Sequence, residues 1–160
     1  ESGRHAKHLT TTAKVPHRWD FVHDEIGYNY RLPNINAALG CAQLEQLPRF
    51  LEAKRRLFAR YENAFALVPN TRIVAEPPGC RSNYWLQTLL LADTAVGQRD
   101  AILAATNDAG LMTRPTWTLM HRLRPYSQCP RMDLSVAESL ESRLINLPSS
   151  SQLCSNEALP

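Results

Sequence analysis

The sequence lacks the features that mark a disulfide-bonded, zinc-binding or membrane-spanning protein. Its four cysteines, at positions 41, 80, 129 and 154, show no Cys-x-x-Cys spacing, and no secretory segment accompanies them. Free thiols in a reducing compartment are therefore expected, which makes the cytoplasm the expected location. The longest apolar run, around residues 86–92, is too short to span a bilayer and is interrupted by Gln87 and Thr88, so no membrane association is expected.

Lysine is scarce, since the 18 basic residues comprise 15 arginines and only Lys7, Lys14 and Lys54. The formal net charge is +3, and the arginines are spread along the chain. Nucleic-acid binding needs a concentrated basic face, so this distribution argues against it and favours anionic small molecules as partners. The adjacent pair Arg55 and Arg56 lies on a helical pattern between apolar positions and is interpreted as a solvated face.

A metal site is not expected either. His5 and His8 are three residues apart and share a face of a predicted helix, but no carboxylate or cysteine completes a plausible ligand set. They are therefore interpreted as surface histidines. With 44% hydrophobic and 21% charged residues, the 160-residue chain has the composition of a soluble globular protein and enough length for one domain with a sizeable core.

Periodicity and turn residues predict a first part of loop and helix. In residues 1–26 a short helix is followed by an irregular loop, because Pro16 prevents a long helix. The helical pattern that begins near Asn34 is predicted to have a kink or a short break at Pro48, after which a second helix runs to about residue 67.

The part after this helix alternates between strands and helices, which indicates an α/β protein with a small α+β lobe. Gly110 is predicted to end one of the helices, and Ser135 with Glu138 forms a capping box for another. The elements are predicted, in order strand, strand, helix, extended piece, helix and strand, at residues 72–76, 83–91, 98–109, 111–113, 135–143 and 144–147. The lobe covers residues 48–150, and the polar residues 151–160 are expected to form a loose tail.

The most distinctive stretch, residues 27–47, reads GYNYRLPNINAALGCAQLEQL. A turn with glycine and aromatic residues runs directly into a helix that Asn34 or Asn36 caps, while Pro33 holds Leu32 extended. Gly27 is expected to take a positive φ, so that the next four side chains point outward. Their amide, two phenols and guanidinium suit a ligand that carries phosphate, although spacing alone also fits an ordinary loop before a helix.

Residues 114–126, RPTWTLMHRLRPY, are too rich in arginine, tryptophan, histidine and proline to form a regular element. Arg114 and Arg122 suit a diphosphate. Trp117 suits the face of a sugar or base, and His121 a hydrogen bond to either. A connection that buries its tryptophan and methionine fits the same pattern equally well.

Trp19 and Phe21 are large apolar residues in a segment without clear periodicity. They must either pack beneath the loop or face a partner or ligand. Packing is the favoured interpretation from composition alone.

As a whole string, residues 27–47 closely resemble the sugar aminotransferases of the DegT/DnrJ/EryC1/StrS family, in which a Gly-Tyr-Asn-x-Arg turn precedes an Asn-x-Ala-Ala-x-Gly-x-x-Gln-Leu helix. The positions that agree, without a gap, are Gly27, Tyr28, Asn29, Arg31, Asn36, Ala37, Ala38, Gly40, Gln43 and Leu44. The resemblance continues through residues 10–19, 113–126 and 144–150, and so covers nearly all of the chain.

The resemblance implies a pyridoxal 5′-phosphate (PLP) enzyme of fold type I, similar to aspartate aminotransferase, of which this chain is the C-terminal part. Residues 1–47 then form the edge of the large PLP-binding lobe, with a dimer-facing turn, and residues 48–150 form the small lobe. The implied reaction moves an amino group, usually from glutamate, to a keto group of a nucleotide-linked sugar in a homodimer with shared active sites. The implied cofactor-binding residues are Tyr28, Asn29 and Arg31, with Asn29 reaching the cofactor phosphate of the other subunit, and the implied substrate-binding residues are Trp19, Tyr30, Arg114, Trp117 and His121.

The family's Schiff-base lysine and the aspartate that faces the pyridine nitrogen lie upstream of the matched region. None of the three lysines here stands in the family's Ser- and Gly-rich context. We therefore expect a piece of a longer polypeptide that is inactive by itself. Three alternatives remain, namely a sugar dehydratase of the same fold in which histidine replaces that lysine, a non-catalytic dimerisation module, and an Arg-rich nucleotide-binding domain without a cofactor. The closeness of residues 27–34 and 114–121 to aminotransferases that act on UDP-linked amino sugars favours transamination.

Overall fold

The computed structural model describes residues 1–154, and the chain divides into two compact units, Glu1–Leu47 and Pro48–Pro160. In the first unit, helix α1 (Ser2–Thr10) confirms the predicted short helix. The irregular loop that follows folds back on itself. Isolated antiparallel bridges join Thr11 to Asn29 and Lys14 to His23.

Helix α2 (Asn34–Phe65) runs through Pro48 as one helix, so of the kink or short break predicted at that residue, the break is wrong. Proline removes its own N–H from a helix, but the turns on either side keep their hydrogen bonds. Ala53 and Leu57, in the part of the helix that follows Pro48, are buried in the core of the second unit. Tertiary packing of this kind offsets the local cost of the proline, which is about 3 kcal/mol.

The second unit is built on a four-stranded antiparallel sheet with the strand order β1-β2-β4-β3. Its strands are β1 (Thr71–Ile73), β2 (Gln87–Leu91), β3 (Arg114–Pro115) and β4 (Leu144–Leu147). Helix α3 (Arg99–Asp108) lies in sequence between β2 and β3, and helix α4 (Ser135–Glu141) between β3 and β4. The predicted order of strands and helices is therefore confirmed.

Strand β2 begins at Gln87 rather than at residue 83, because the residues before it form turns. The Tyr84 N–H donates to Ser82 Oγ at 3.0 Å, and the Trp85 N–H donates to Asn83 Oδ1 at 2.9 Å. Side chains of serine and asparagine compete in this way with a strand ladder.

The core of this unit lies between the sheet and two helices. Leu89 and Leu91 point to one face of β2, because side chains alternate along a strand, and both are buried. The buried cluster comprises Ile73, Leu89, Leu91, Ala95 and Ile145, and Phe58, Tyr61 and Phe65 from α2 and Ile102 and Leu103 from α3 pack against it.

Of the two predicted helix ends, the glycine at the end of α3 is confirmed and the capping box of α4 is not. Gly110 follows α3 with a φ of +78°, as expected of a glycine beyond a helix C-terminus. The capping box does not form, because α4 begins at Ser135 itself and Leu134, which has no polar side chain, occupies the N-cap position. The Ser135 hydroxyl donates to Asp133 Oδ2 at 2.7 Å. The carboxylate of Glu138 is engaged elsewhere, with His121.

Part of the expected loose tail is fixed to helix α2. Ser151–Cys154 form a 3-10 turn, and Cys154 is buried. Arg56 donates to the Cys154 carbonyl oxygen at 3.2 Å, and Arg60 donates to the Leu153 carbonyl oxygen at 3.3 Å. Arg56, interpreted from the sequence as a solvated charge, therefore also holds the tail. Residues 155–160 of the tail lie outside the described residues. None of the helices described in residues 1–154 has the length and apolar character needed to cross a bilayer.

Candidate functional site

Residues 27–31, called the 27–31 turn below, are held against residues 9–12 in the first unit. Three backbone hydrogen bonds join the two segments, from the Tyr28 N–H to Leu9 (2.7 Å), from the Tyr30 N–H to Thr10 (3.0 Å) and from the Thr12 N–H to Tyr28 (3.1 Å). The guanidinium of Arg31 adds a fourth contact, since it donates to the Thr11 carbonyl oxygen at 3.0 Å. The turn is therefore a fixed segment rather than a free loop.

Gly27 does not take the expected positive φ, which in the described part of the chain is found at Gly79 and Gly110 among the glycines. Its role is space. A Cβ at Gly27 would lie 2.8 Å from Thr12 Cα, and closer still to the carbonyl carbon of Thr12 and the nitrogen of Ala13. The positive φ angles occur in this opposing segment, at Thr12 (74°) and Ala13 (48°), and Ala13 is fully buried. The strained backbone therefore belongs to Thr12 and Ala13, which face Gly27, and not to Gly27 itself.

The 27–31 turn presents hydrogen-bond donors to solvent. Tyr28 and Tyr30 are exposed, with ring centroids 5.9 Å apart and planes inclined by 30°. Asn29 Oδ1 accepts the Arg31 N–H at 3.3 Å. Among residues 1–154, the Asn29 side-chain NH2 has no hydrogen-bond partner. An open amide, two phenols and a guanidinium suit a phosphate, whose oxygens accept from all three kinds of group.

The expected packing of Trp19 and Phe21 is wrong, because 68% and 78% of their surfaces are exposed. Trp19 lies edge-on to His17, with ring centroids 5.2 Å apart, and the Lys14 ammonium lies 3.7 Å from the centre of the Phe21 ring. Both rings therefore stand on the surface of the first unit.

The loop brings carboxylates to the α1 histidines that the sequence left without partners. His8 Nε2 lies 2.5 Å from Asp24 Oδ1, and His5 lies 3.7 Å from Glu25. The hydrogen bond from His8 lowers the pKa of Asp24. Ligand-type atoms of His8, Asp24 and Glu25 lie within 4.8 Å of one another, and the two carboxylates already contact His8 and His5. The simplest role of this cluster is to hold the loop onto α1.

In the second unit, two of the predicted substrate-binding residues are tied to neighbouring helices. Arg114 lies exposed on β3 and donates to Asn107 Oδ1 at 2.6 Å and to the Thr113 carbonyl oxygen at 2.8 Å. His121 is mostly covered, and its Nε2 lies 3.0 Å from Glu138 Oε1. Each side chain therefore has a fixed orientation.

Trp117 is the predicted residue with the most unexpected surroundings, because its ring stacks on that of Trp85. The centroids are 6.0 Å apart and the planes are inclined by 23°. The sequence does not identify Trp85 as a substrate-binding residue, because its pattern predicts a strand over residues 83–91. The signal that points to it is the Ser82-Asn83 pair, whose side chains favour turns over strands.

A partly exposed ion pair between Arg55 and Glu76 fixes the segment before Trp85 to α2. Both guanidinium nitrogens of Arg55 bind the Glu76 carboxylate, at 2.9 and 3.0 Å, and Glu76 also accepts the Ser82 N–H at 2.6 Å. The Arg55 hydrogen bonds, with that from Ser82, lower the pKa of Glu76 from its usual 4.5 to about 2. Arg55, interpreted from the sequence as a solvated charge, is thus a structural clamp.

Two of the three lysines make contacts within their unit, and the third lies on the surface. Lys54 Nζ donates to the Trp85 carbonyl oxygen at 3.1 Å and to the Ser149 carbonyl oxygen at 2.5 Å, and burial lowers its pKa. Lys14 covers the exposed Phe21 ring, and Lys7 lies exposed on α1. Lys54 therefore joins α2 to the backbone at Trp85 and at Ser149.

The model of the DegT/DnrJ/EryC1/StrS aminotransferase family matches residues 3–159. The chain is 36% identical over 156 residues to EpsN of Bacillus subtilis (strain 168), which is named as a pyridoxal phosphate-dependent aminotransferase, and the match covers 95% of this chain and 39% of that protein. It is 33% identical over 126 residues to the GDP-perosamine synthase of Caulobacter vibrioides (strain ATCC 19089 / CIP 103742 / CB 15), covering 77% and 33%.

The fold is also that of a solved aminotransferase. The structure of PseC from Helicobacter pylori, an aminotransferase involved in the biosynthesis of pseudoaminic acid, superimposes with a TM-score of 0.82 at 21% identity, over 96% of this chain and 42% of that one. The predicted fold class is therefore confirmed. The chain spans less than half the length of each of these three proteins.

Proposed function

Because the chain belongs to the DegT/DnrJ/EryC1/StrS aminotransferase family, we propose that it is the C-terminal portion of a PLP-dependent enzyme that transfers an amino group from glutamate to a keto group of a nucleotide-linked sugar. The names of the relatives support this substrate class, since one of them is a GDP-perosamine synthase. The first unit would belong to the edge of the PLP-binding lobe, and the second would be the small lobe. The enzyme would be a cytoplasmic homodimer.

The observation that carries the proposal is the donor set of the 27–31 turn. Asn29 has an open NH2 group in the described structure, and it can donate to a phosphate oxygen without adding charge. Tyr28 and Arg31 stand beside it, and the hydrogen bonds to residues 9–12 hold all three in place. We assign Asn29, Tyr28 and Arg31 to the cofactor phosphate, with Asn29 serving the site of the partner subunit. When bound, PLP supplies the electron sink of the reaction.

On the substrate side we assign Arg114 and His121 to polar groups of the sugar nucleotide, and Trp117, Trp19 and Tyr30 to its flat faces. Arg114 is oriented by Asn107, and His121 by Glu138, so neither has to be ordered when the ligand binds. Preorganised donors lose less entropy on binding than mobile ones do. The exposed tryptophan and tyrosine rings provide the area that stacking on a sugar or base requires.

The test is retention of PLP by the longer protein that contains this chain. Loss of a hydrogen bond to a charged group costs about 1.5–3 kcal/mol, so Asn29→Ala should weaken PLP binding by roughly ten- to a hundredfold. The matched control is Asn63→Ala, at an exposed position of α2, which should leave PLP binding unchanged. Equal retention by the Asn29 variant and the control would refute the assignment.

The trans arrangement is tested separately by mixing the Asn29→Ala chain with a chain that lacks the Schiff-base lysine. Shared sites predict that the mixed dimer regains one working site, because one pocket then receives an intact lysine and an intact asparagine. No recovery, despite verified exchange of subunits, would place Asn29 in its own subunit's pocket or outside the site.

A further inference from the structure

Two exposed tryptophans from distant parts of the second unit stack on each other. Trp85 and Trp117 are 63% and 67% exposed, although their centroids lie only 6.0 Å apart. A ring pair that serves packing is buried, as the stack of Phe58 on Tyr84 shows, where Tyr84 is 6% exposed. The tryptophan pair instead keeps aromatic faces open to solvent at a defined position.

The backbone of Trp85 is fixed on both sides of the residue. Its N–H donates to Asn83 Oδ1 at 2.9 Å. Its carbonyl oxygen accepts two hydrogen bonds, from Lys54 Nζ at 3.1 Å and from Ser149 Oγ at 2.9 Å. These three hydrogen bonds fix the position from which the Trp85 side chain projects.

The residue before Trp85 is strained. Tyr84 has a φ of 46°, a left-handed conformation that a bulky residue rarely adopts. Its surroundings impose this conformation, because its ring stacks on Phe58 at 4.4 Å and its hydroxyl accepts the Glu76 N–H at 3.3 Å. The Arg55–Glu76 ion pair holds Glu76 to α2. Strain that the surrounding structure enforces is typical of ligand-binding segments.

We propose that Trp85 and Trp117 form a platform on which the base of a nucleoside diphosphate stacks, continuing the indole stack on its open face. This inference rests on the proposed function, since the nucleotide part of the sugar substrate is the ligand that the platform would take. Every nucleobase offers a flat aromatic face, so such a platform binds without a strict choice of base. Arg114, exposed three residues before Trp117, supplies a guanidinium for the diphosphate.

The proposal is tested by titrating the longer protein that contains this chain with UDP, with GDP and with inorganic pyrophosphate, which has no base. Loss of one stacking partner weakens nucleotide binding by roughly 5- to 150-fold. We expect Trp85→Leu and Trp117→Leu each to weaken binding of UDP and GDP by such a factor and to leave pyrophosphate binding unchanged. Trp85→Phe and Trp117→Phe should restore most of the loss. The control is Phe21→Leu, which removes a still more exposed ring from the first unit and should change none of the three affinities.

Circular dichroism gives a second measurement that does not depend on the ligand. Two stacked indoles produce a coupled signal, which either leucine variant should abolish and Phe21→Leu should preserve. Equal weakening of nucleotide and pyrophosphate binding, or unchanged nucleotide binding in both leucine variants, would overturn the platform and leave the proposed function standing. Absence of nucleotide binding by the wild-type protein would also overturn it. The proposed function fails by a different result, namely retention of PLP by the Asn29 variant.

Discussion

Replacement of Gly27 by alanine should detach the 27–31 turn from the segment that holds it. The added Cβ would lie 2.8 Å from Thr12 Cα, and the nearest atoms belong to backbone rather than to a side chain that can rotate away. Thr12 and Ala13 already have positive φ angles, and Ala13 is fully buried. The opposing segment therefore cannot yield without losing its own packing.

The magnitude follows from the cost of overpacking, which is about 1–3 kcal/mol for an added methyl group in a tight site. The backbone hydrogen bonds made by Tyr28, Tyr30 and Thr12 are the interactions that a shift of the turn would break. If local opening becomes easier by that amount, exchange of the three amide hydrogens should accelerate by roughly 5- to 150-fold.

Amide hydrogen exchange followed by NMR or mass spectrometry measures this effect at the residues concerned. Gly40→Ala is the matched control, because a Cβ at Gly40 meets nothing within 4 Å and alanine in a helix is more stable than glycine by roughly 0.5–1 kcal/mol. The control should slow exchange in α2 and leave the turn unchanged. If Gly27→Ala left the exchange of Tyr28 and Tyr30 at wild-type rates, the packing argument would be refuted.

Three further predictions concern the second unit. Leu91→Ala should destabilise the chain by about 2–5 kcal/mol in urea unfolding, because Leu91 is 1% exposed, whereas Val136→Ala, on the exposed face of α4, should change stability by less than about 0.5 kcal/mol. Since the folded pKa of Glu76 is depressed to about 2, its ion pair with Arg55 should stabilise the fold fully above pH 4.5 and progressively less as the pH falls towards 2; Glu76→Gln should remove this part of the pH dependence, and an unchanged profile would contradict the clamp. In the longer enzyme, Arg114→Ala should raise the KM for the sugar nucleotide more than that for glutamate, and equal effects on both would count against its assignment.

Much of the fold follows from local sequence rules that nothing overrides. The strand over residues 144–147 and the glycine that ends α3 are found where apolar pattern and turn chemistry place them. The 27–31 turn is identifiable from its sequence motif as a whole. In the part of the chain that the structure describes, its backbone is held by hydrogen bonds, and the side-chain NH2 of Asn29 is free to donate.

The errors have different causes, and two of them come from residues that a local pattern does not include. Pro48 does not break α2, because burial of Ala53 and Leu57 in the second unit outweighs the missing N–H. Helix α4 begins at Ser135 rather than after it, so this serine does not lie at the N-cap position that the expected capping box requires. Trp85 could not be identified as a candidate ligand residue, because its partner lies 32 residues away in sequence and its restraints come from Lys54 and Ser149.

The proposed function requires that this chain complete an enzyme that moves an amino group onto a nucleotide-linked sugar. The decisive experiment gives nitrogen-labelled glutamate, with PLP and UDP- or GDP-linked keto sugars, to the longer protein that contains this chain. We expect the label to appear in the sugar product, the 160-residue chain alone to transfer none, and Asn29→Ala to lower the yield at limiting PLP. Loss of a sugar hydroxyl without gain of labelled nitrogen, or no reaction by protein shown to hold PLP, would contradict the proposed function.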